Sequence, residues 1–377
     1  MKKVILGISF FASLQVFACD IIVTDSSSLK NIAMNAQPGQ EICVDGFGGK
    51  TYELDNIHFS AKGTENAPII FKGLDSVHLL GINSQEGRAN FYVSGQWLEI
   101  RNFEVSNFEN GVYLRRVNGQ VPHHTKIIDI KSHHNRYSGI CIEGDYRVNG
   151  KENPDFHTYT NDQKPHDNTI KNCDGSYSEE PQHGDGINIR NGVGTGNIII
   201  GCRTFKNNDD GIDLWEAGNQ VKIINSWSFK NGLNGDGTGF KLGKAIRLEE
   251  DGTTYDGTHI LEHCMAWDNK EFGFLDNGGV KSRELYNCTA YRNASAGFEF
   301  INSNNTFINN ISYLNGKSNY LGANPYQSNN SWQINHIFSQ YEQNIAEGTR
   351  GSTDRLPNTK WLKFQDLNYP NIGYWRR

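Results

Sequence analysis

Proline and methionine are scarce in this chain, with 9 and 3 among 377 residues, and a surplus of positive charge is missing altogether. Lys and Arg number 36 against 42 Asp and Glu, for a net charge of −6. That balance argues against a nucleic-acid partner, which requires a basic face. It also means that an anionic polymer would approach an acidic protein, and would need a cation between the two. Long apolar runs are missing too, except at the N-terminus, so no other segment is able to cross a bilayer as a helix. The exception is Val4 to Phe17, preceded by Lys2 and Lys3 and ending in the small-x-small pattern Val16-Phe17-Ala18. Residues 1–18 therefore read as a signal peptide, and the protein is expected to be secreted. A lipid anchor on Cys19 is the alternative.

Cysteine is neither absent nor abundant, at seven. Cys141, Cys173, Cys202, Cys264 and Cys288 sit inside apolar, strand-like runs and read as buried free thiols. Cys19 and Cys43 are left as the one candidate disulfide in an exported chain. Lipidation of Cys19 would exclude that bond, and the sequence leaves the choice open.

Helical periodicity is also lacking. Short alternating strands and 40 glycines take its place. One half of a repeat reads Arg101-Asn102-Phe103-Glu104-Val105-Ser106-Asn107. It recurs at Gly201 to Asn207, Asn225 to Asn231, His263 to Asn269 and Asn287 to Asn293. The other half is Gly-apolar-x-apolar, starting at Gly111, Gly139, Gly186, Gly211, Gly239, Gly273 and Gly297. Successive glycines are 28, 47, 25, 28, 34 and 24 positions apart. A base period in the mid-twenties with insertions means the coils of one solenoid. The expected fold is all-β: a right-handed parallel β-helix of about ten coils over 19–345. A short capping helix is expected near Ser28 to Ala36, and a tail at 346–377 packed along the outside. Asp145 to Asp167 breaks the repeat and reads as a loop. In such a fold equal repeat positions stack about 4.8 Å apart, so Asn207, Asn231, Asn269 and Asn293 are expected to form an amide ladder.

The same stacking singles out four aspartates. Asp185 and Asp210 each precede a repeat glycine, Asp209 adjoins Asp210, and Asp213 occupies the outward position of its strand. Carboxylates in register repel one another unless a cation intervenes, and Ca²⁺ takes six to eight such oxygens. The alternative is a set of solvated turn residues. Lys241 fills the Asp213 position one coil later. Beside Ca²⁺ its protonated form is disfavoured, which would make it a general base. An ordinary ion pair with Asp213 is the competing account.

These residues resemble polysaccharide lyase family nine, the calcium-dependent pectate lyases with a ten-coil β-helix. The resemblance runs over roughly residues 85 to 335. It is carried by His183-Gly184-Asp185-Gly186, Gly194-Thr195-Gly196-Asn197, Asn208-Asp209-Asp210-Gly211-Ile212-Asp213-Leu214, Gly239-Phe240-Lys241-Leu242-Gly243 and Asn330-Ser331-Trp332. It implies Asp185, Asp209, Asp210 and Asp213 as calcium ligands, and Lys241 as the base of a β-elimination on pectate. Lys244 departs from the pattern, since that family often has glycine or another small residue there. Lys244 and Arg190 are further candidates for substrate contacts. The implied partner is an acidic plant cell-wall polysaccharide, met by a monomer. Three other readings stay open: a lyase for rhamnogalacturonan or another uronate polymer, a β-helical hydrolase, and a non-catalytic glycan-binding surface protein.

Overall fold

The repeat glycines are fixed by how closely the coils approach. A Cβ on Gly139 would stand 2.6 Å from the carbonyl oxygen of Gly186, and one on Gly239 would stand 2.7 Å from that of Gly273. No side chain fits such a gap, so glycine recurs wherever one coil lies directly on the next. After each glycine the apolar pair turns inward. Ile140, Ile142, Ile187, Ile189, Ile212, Leu214, Phe240 and Leu242 are all fully buried. Phe240, Phe274 and Phe298 stack with ring centroids 4.8 and 5.0 Å apart.

The result, in a computed structural model, is a right-handed parallel β-helix. The structure describes residues 19–333 apart from 84–86, 149, 249–251 and 302–303, and the backbone of 338–340 and 362–364. The signal peptide expected at 1–18 lies outside the described residues. So does the tail expected at 346–377, apart from Leu362–Phe364, which pairs antiparallel with Phe338–Gln340. Nine parallel strands form one sheet, in which spatial order follows chain order from Ile57–Phe59 to Phe298–Glu299. Its central strands are Ile140–Glu143, Ile187–Arg190, Ile212–Asp213 and Phe240–Lys241. The other strands of the coils join into an 18-stranded assembly.

A single α-helix is present among the described residues, Ser26–Asn35, beginning two residues before the expected cap. Asp25 caps it by accepting from the Ser28 N–H at 2.9 Å. Cys19 and Cys43 are disulfide-bonded, one of the two fates the sequence left open. The other five cysteines are buried and free. Cys173, Cys202, Cys264 and Cys288 share one column, interrupted by Ser226, as the strand registers require.

The amide ladder forms as expected. Asn207 donates to Asn231 at 2.9 Å, Asn231 to Asn269 at 3.0 Å, and Asn269 to Asn293 at 2.9 Å. Asn293 extends it to Asn315 at 2.9 Å. Each link satisfies a buried amide that would otherwise carry a desolvation cost. The stretch Asp145 to Asp167 is more ordered than a loop. It holds an antiparallel pair, Arg147–Val148 with Lys151–Glu152, and two 3₁₀ turns, Phe156–Thr158 and Asn161–Gln163. Phe156 anchors it, fully buried with Tyr146, Ile246 and Leu248.

Replacing Asn231 by Ala removes the oxygen that accepts from both the backbone N–H and the side-chain amide of Asn207, and the amide that donates to Ser228 Oγ. The loss of stability should be about 3 kcal/mol, since an unsatisfied buried group costs about 1–3 kcal/mol. Denaturant unfolding measures it, and a change below about 0.5 kcal/mol, the usual surface effect, would remove the ladder as a stabilising element.

Candidate active site and metal centre

One face of the nine-stranded sheet lines a cleft of about 690 Å³, and the register brings its charged groups together. Ile187 pairs with Ile212, so Asp185 lies on Asp210. Asp213 pairs with Lys241, as the repeat alignment predicts. Carboxylate oxygens of Asp185, Asp209 and Asp210 all lie within 4.8 Å of one another. Asp213 stands beside this trio rather than within it, at 3.8 Å from Lys241 Nζ. The shorter pair of that lysine is with Asp210, at 2.7 Å. Coil register sets which Cα atoms are neighbours; the diagonal reach of a long lysine chain then decides the partner.

Backbone donors from neighbouring coils hold the carboxylates in place. Asp210 accepts from the Thr238 N–H at 2.6 Å and Asp209 from the Asp236 N–H at 2.9 Å. Asp185 accepts from the Asp210 N–H at 3.2 Å and from the Asn188 amide at 2.6 Å. Asp213 Oδ1 and Asn188 Oδ1 are buried without a hydrogen-bond partner. All four aspartates are buried.

This crowding changes their acidity. Burial, then the charge of Asp210, raises the Asp185 carboxyl to about 6. Burial, then Asp210 and Asp185, raises Asp209 to about 7. Burial pushes Asp213 well above the usual carboxylate range. On Lys241 burial acts downward, but Asp213 and Asp210 outweigh it and hold the ammonium protonated. Protein groups alone therefore act opposite to the lowering expected beside a cation.

The two further candidates separate. Arg190 lines the cleft and is tied to Glu143 at 2.9 Å. Lys244 is exposed and lies 5.1 Å from the Trp215 ring, outside the cleft lining. Lys241 Nζ lies 5.7 Å from the same ring.

Arg190 apart, several cleft residues escaped the sequence reading. Arg115, Glu143 and Arg190 form one column of alternating charge, in register across three coils. Each is the residue just after the second apolar position of its repeat, as is Trp215. That repeat position is the sequence signal for them. Arg147 enters from the excursion and pairs with buried Glu216 at 2.6 Å. Tyr137 and His183 complete one rim, ring centroids 6.4 Å apart.

Comparisons with known proteins bear on the family and the fold. The family model for the Pel9A-like, right handed beta helix region matches residues 22–330. Pectate lyase L of Paenibacillus polymyxa is 29% identical over 268 residues, covering 66% of this chain and 54% of that protein. Pectate lyase PEL9 of Emericella nidulans is 27% identical over 365 residues, covering 84% and 82%. The chain thus spans little more than half the length of the first of these. The crystal structure of pectate lyase Pel9A superposes with a TM-score of 0.73 at 22% identity, over 96% of this chain and 97% of that one, a likeness of fold.

Raised carboxyl values have a stability consequence with a definite sign. Asp185 and Asp209 bind protons more tightly folded than at the ordinary 3.8. Their contribution is therefore fully present below about pH 4 and lost as pH rises through about 6 to 7. In chelator, wild-type stability should fall relative to Asp209→Asn across that window. Unfolding curves that stay parallel for the two proteins would contradict the coupling.

Proposed function

The chain belongs to the Pel9A-like right-handed β-helix family, and from that premise we propose that it is a polysaccharide lyase. It cleaves pectate by β-elimination, with Lys241 as the base and Ca²⁺ as the resident cation. The observation that carries the reading is the buried carboxylate trio with Lys241 against it, in an arginine-lined cleft.

The donor set suits the cation. It consists of hard oxygens, three of them already clustered, with Asp213 Oδ1 and Asn188 Oδ1 buried and unpartnered. Asp185, Asp209, Asp210 and Asp213 would hold it. When bound, Ca²⁺ supplies a Lewis acid for a substrate carboxylate and offsets the negative charge that keeps Lys241 protonated.

Lys241, as the free amine, takes the C5 proton of the uronate. The C5–H electron pair becomes the C4–C5 double bond, and the C4–O4 pair leaves with the oxygen, which is protonated from solvent. Arg115, Arg147 and Arg190 attract the anionic groups of neighbouring sugars. Glu143 and Glu216 hold the guanidinium groups of Arg190 and Arg147 in place through ion pairs. Action outside the cell belongs to the same reading. Disulfides such as Cys19–Cys43 persist where thiols are oxidised, and this one occupies the thiol a lipid anchor needs.

Ultraviolet absorbance of unsaturated product on polygalacturonate, compared with rhamnogalacturonan, tests the activity. Absorbance on the first substrate and little on the second is expected. The reverse would make the protein a rhamnogalacturonan lyase, and neither would remove the lyase reading. Chelator should abolish turnover and Ca²⁺ restore it, with Asp213→Ala needing more Ca²⁺ than wild type. Full activity in chelator would refute the metal.

Lys241→Ala should lower the rate about 10²–10⁴-fold, the usual loss for a general base. Ca²⁺ affinity should not fall, because the substitution removes the ammonium that competes with the cation for Asp210. Lys241→Arg should be nearly as inactive, because guanidinium stays protonated. Retention of more than about a tenth of the rate in Lys241→Ala would exclude Lys241 as base.

A further inference from the structure

Away from the carboxylate cluster, His124, His166 and Asp167 meet where the coils turn from the cleft sheet into the strands Lys126–His133 and Thr169–Lys171. One ligand-type atom from each lies within 4.8 Å of the others. The elimination uses none of them. Coil stacking assembles the group: Gln96 bridges in parallel to His123, and His123 to His166. His124 and Asp167 both hold a left-handed φ of 52°.

The motif Gly194-Thr195-Gly196-Asn197 makes room for these side chains. A Cβ on Gly194 would stand 2.7 Å from the Cβ of His166, and one on Gly196 would collide with the Asp167 carboxylate. Neither glycine lines the cleft.

Hydrogen bonding then sets the tautomers. His123 Nε2 faces Gln96 Oε1 at 3.1 Å and, as that oxygen only accepts, carries the proton. His123 Nδ1 is therefore an acceptor, and His124 Nδ1–H donates to it across 3.0 Å. In that tautomer His124 has a lone pair on Nε2, which stands 3.9 Å from Asp167 Oδ2. That is too far for a hydrogen bond, and both atoms offer electrons. His166 Nδ1 lies 2.8 Å from the same oxygen. Metal–nitrogen and metal–oxygen bonds of about 2.1 Å bridge a gap of about 3.4 Å at a tetrahedral angle and about 4.2 Å in line, so the 3.9 Å pair fits a shared ion. His166 and Asp167, by contrast, must open from their 2.8 Å hydrogen bond, and His166 Nδ1 must give up its proton, to join it.

We propose that His124, His166 and Asp167 bind a divalent transition cation of borderline softness, with Zn²⁺ as its probe. Two imidazoles and one carboxylate suit such an ion, as the all-oxygen aspartate site suits Ca²⁺. His123, held by Gln96, is a positioning residue that orients His124. The ion clamps the end of the excursion that begins beside Arg147 at the cleft wall and closes at Asp167.

The test uses the full chain without an affinity tag, in excess Ca²⁺ so that the aspartate site is filled. Zn²⁺ is titrated calorimetrically, and Co²⁺ is added in parallel to read nitrogen ligation by visible absorption. One equivalent of Zn²⁺ should bind to wild type and to Asp209→Ala. His124→Ala and Asp167→Ala should each weaken it more than about tenfold, and His123→Ala by about 10–100-fold. The His124 and Asp167 side chains are 36% and 42% exposed, so neither truncation opens a core cavity. No binding to wild type, equal binding by the His124 and Asp167 variants, or loss in Asp209→Ala alone would each overturn the site.

Discussion

The coils and the cleft they build depend on one constraint: equal positions on successive coils lie about 4.8 Å apart. Neutral columns exploit it. Asparagines pass hydrogen bonds from coil to coil, phenylalanines stack, and glycines let the backbones touch. A charged column is different, because like charges at that spacing repel. Asp185 on Asp210 is such a column, and the fold meets the repulsion with the ammonium of Lys241 and with N–H groups from Asp210, Asp236 and Thr238. Protonation of Asp185 and Asp209 near neutrality relieves the rest. A site in that condition is destabilising by itself and favours a cation. Perturbed groups of this kind concentrate where chemistry occurs.

The register also explains how much of the structure the sequence disclosed. In a solenoid a repeat position is a spatial column, so reading Gly211-Ile212-Asp213 against Gly239-Phe240-Lys241 was enough to put Asp213 beside Lys241. The amide ladder and the buried thiols were legible for the same reason. The partner of Lys241 was not, because register fixes neighbours along the column while Asp210 is reached diagonally. The Arg115–Glu143–Arg190 column was obscured by the insertion of the Asp145 to Asp167 excursion between its second and third members. That same insertion separates His124 from His166 in the chain. Its own order rests on Phe156, one aromatic in a polar stretch, which carries no periodic signal.

Lys241 links the fold to the proposed reaction. The aspartates that would hold Ca²⁺ are those that keep its amine protonated when no cation is bound. Cation and proton thus compete for one patch of negative charge, and filling the site is what would release the base. A hydrolase on the same scaffold would need a carboxyl acid on one side of the scissile bond and a second carboxylate on the other. Here the carboxylates are gathered into one cluster, with the lysine against it.

The most direct discriminator is the fate of the solvent oxygen. Polygalacturonate is digested in heavy-oxygen water with Ca²⁺, and the new ends are weighed by mass spectrometry after exchange at the reducing carbon has been corrected with an incubated standard. Elimination predicts products lighter than hydrolysis products by one water, with no enzyme-dependent heavy oxygen. Saturated ends carrying solvent oxygen would contradict it.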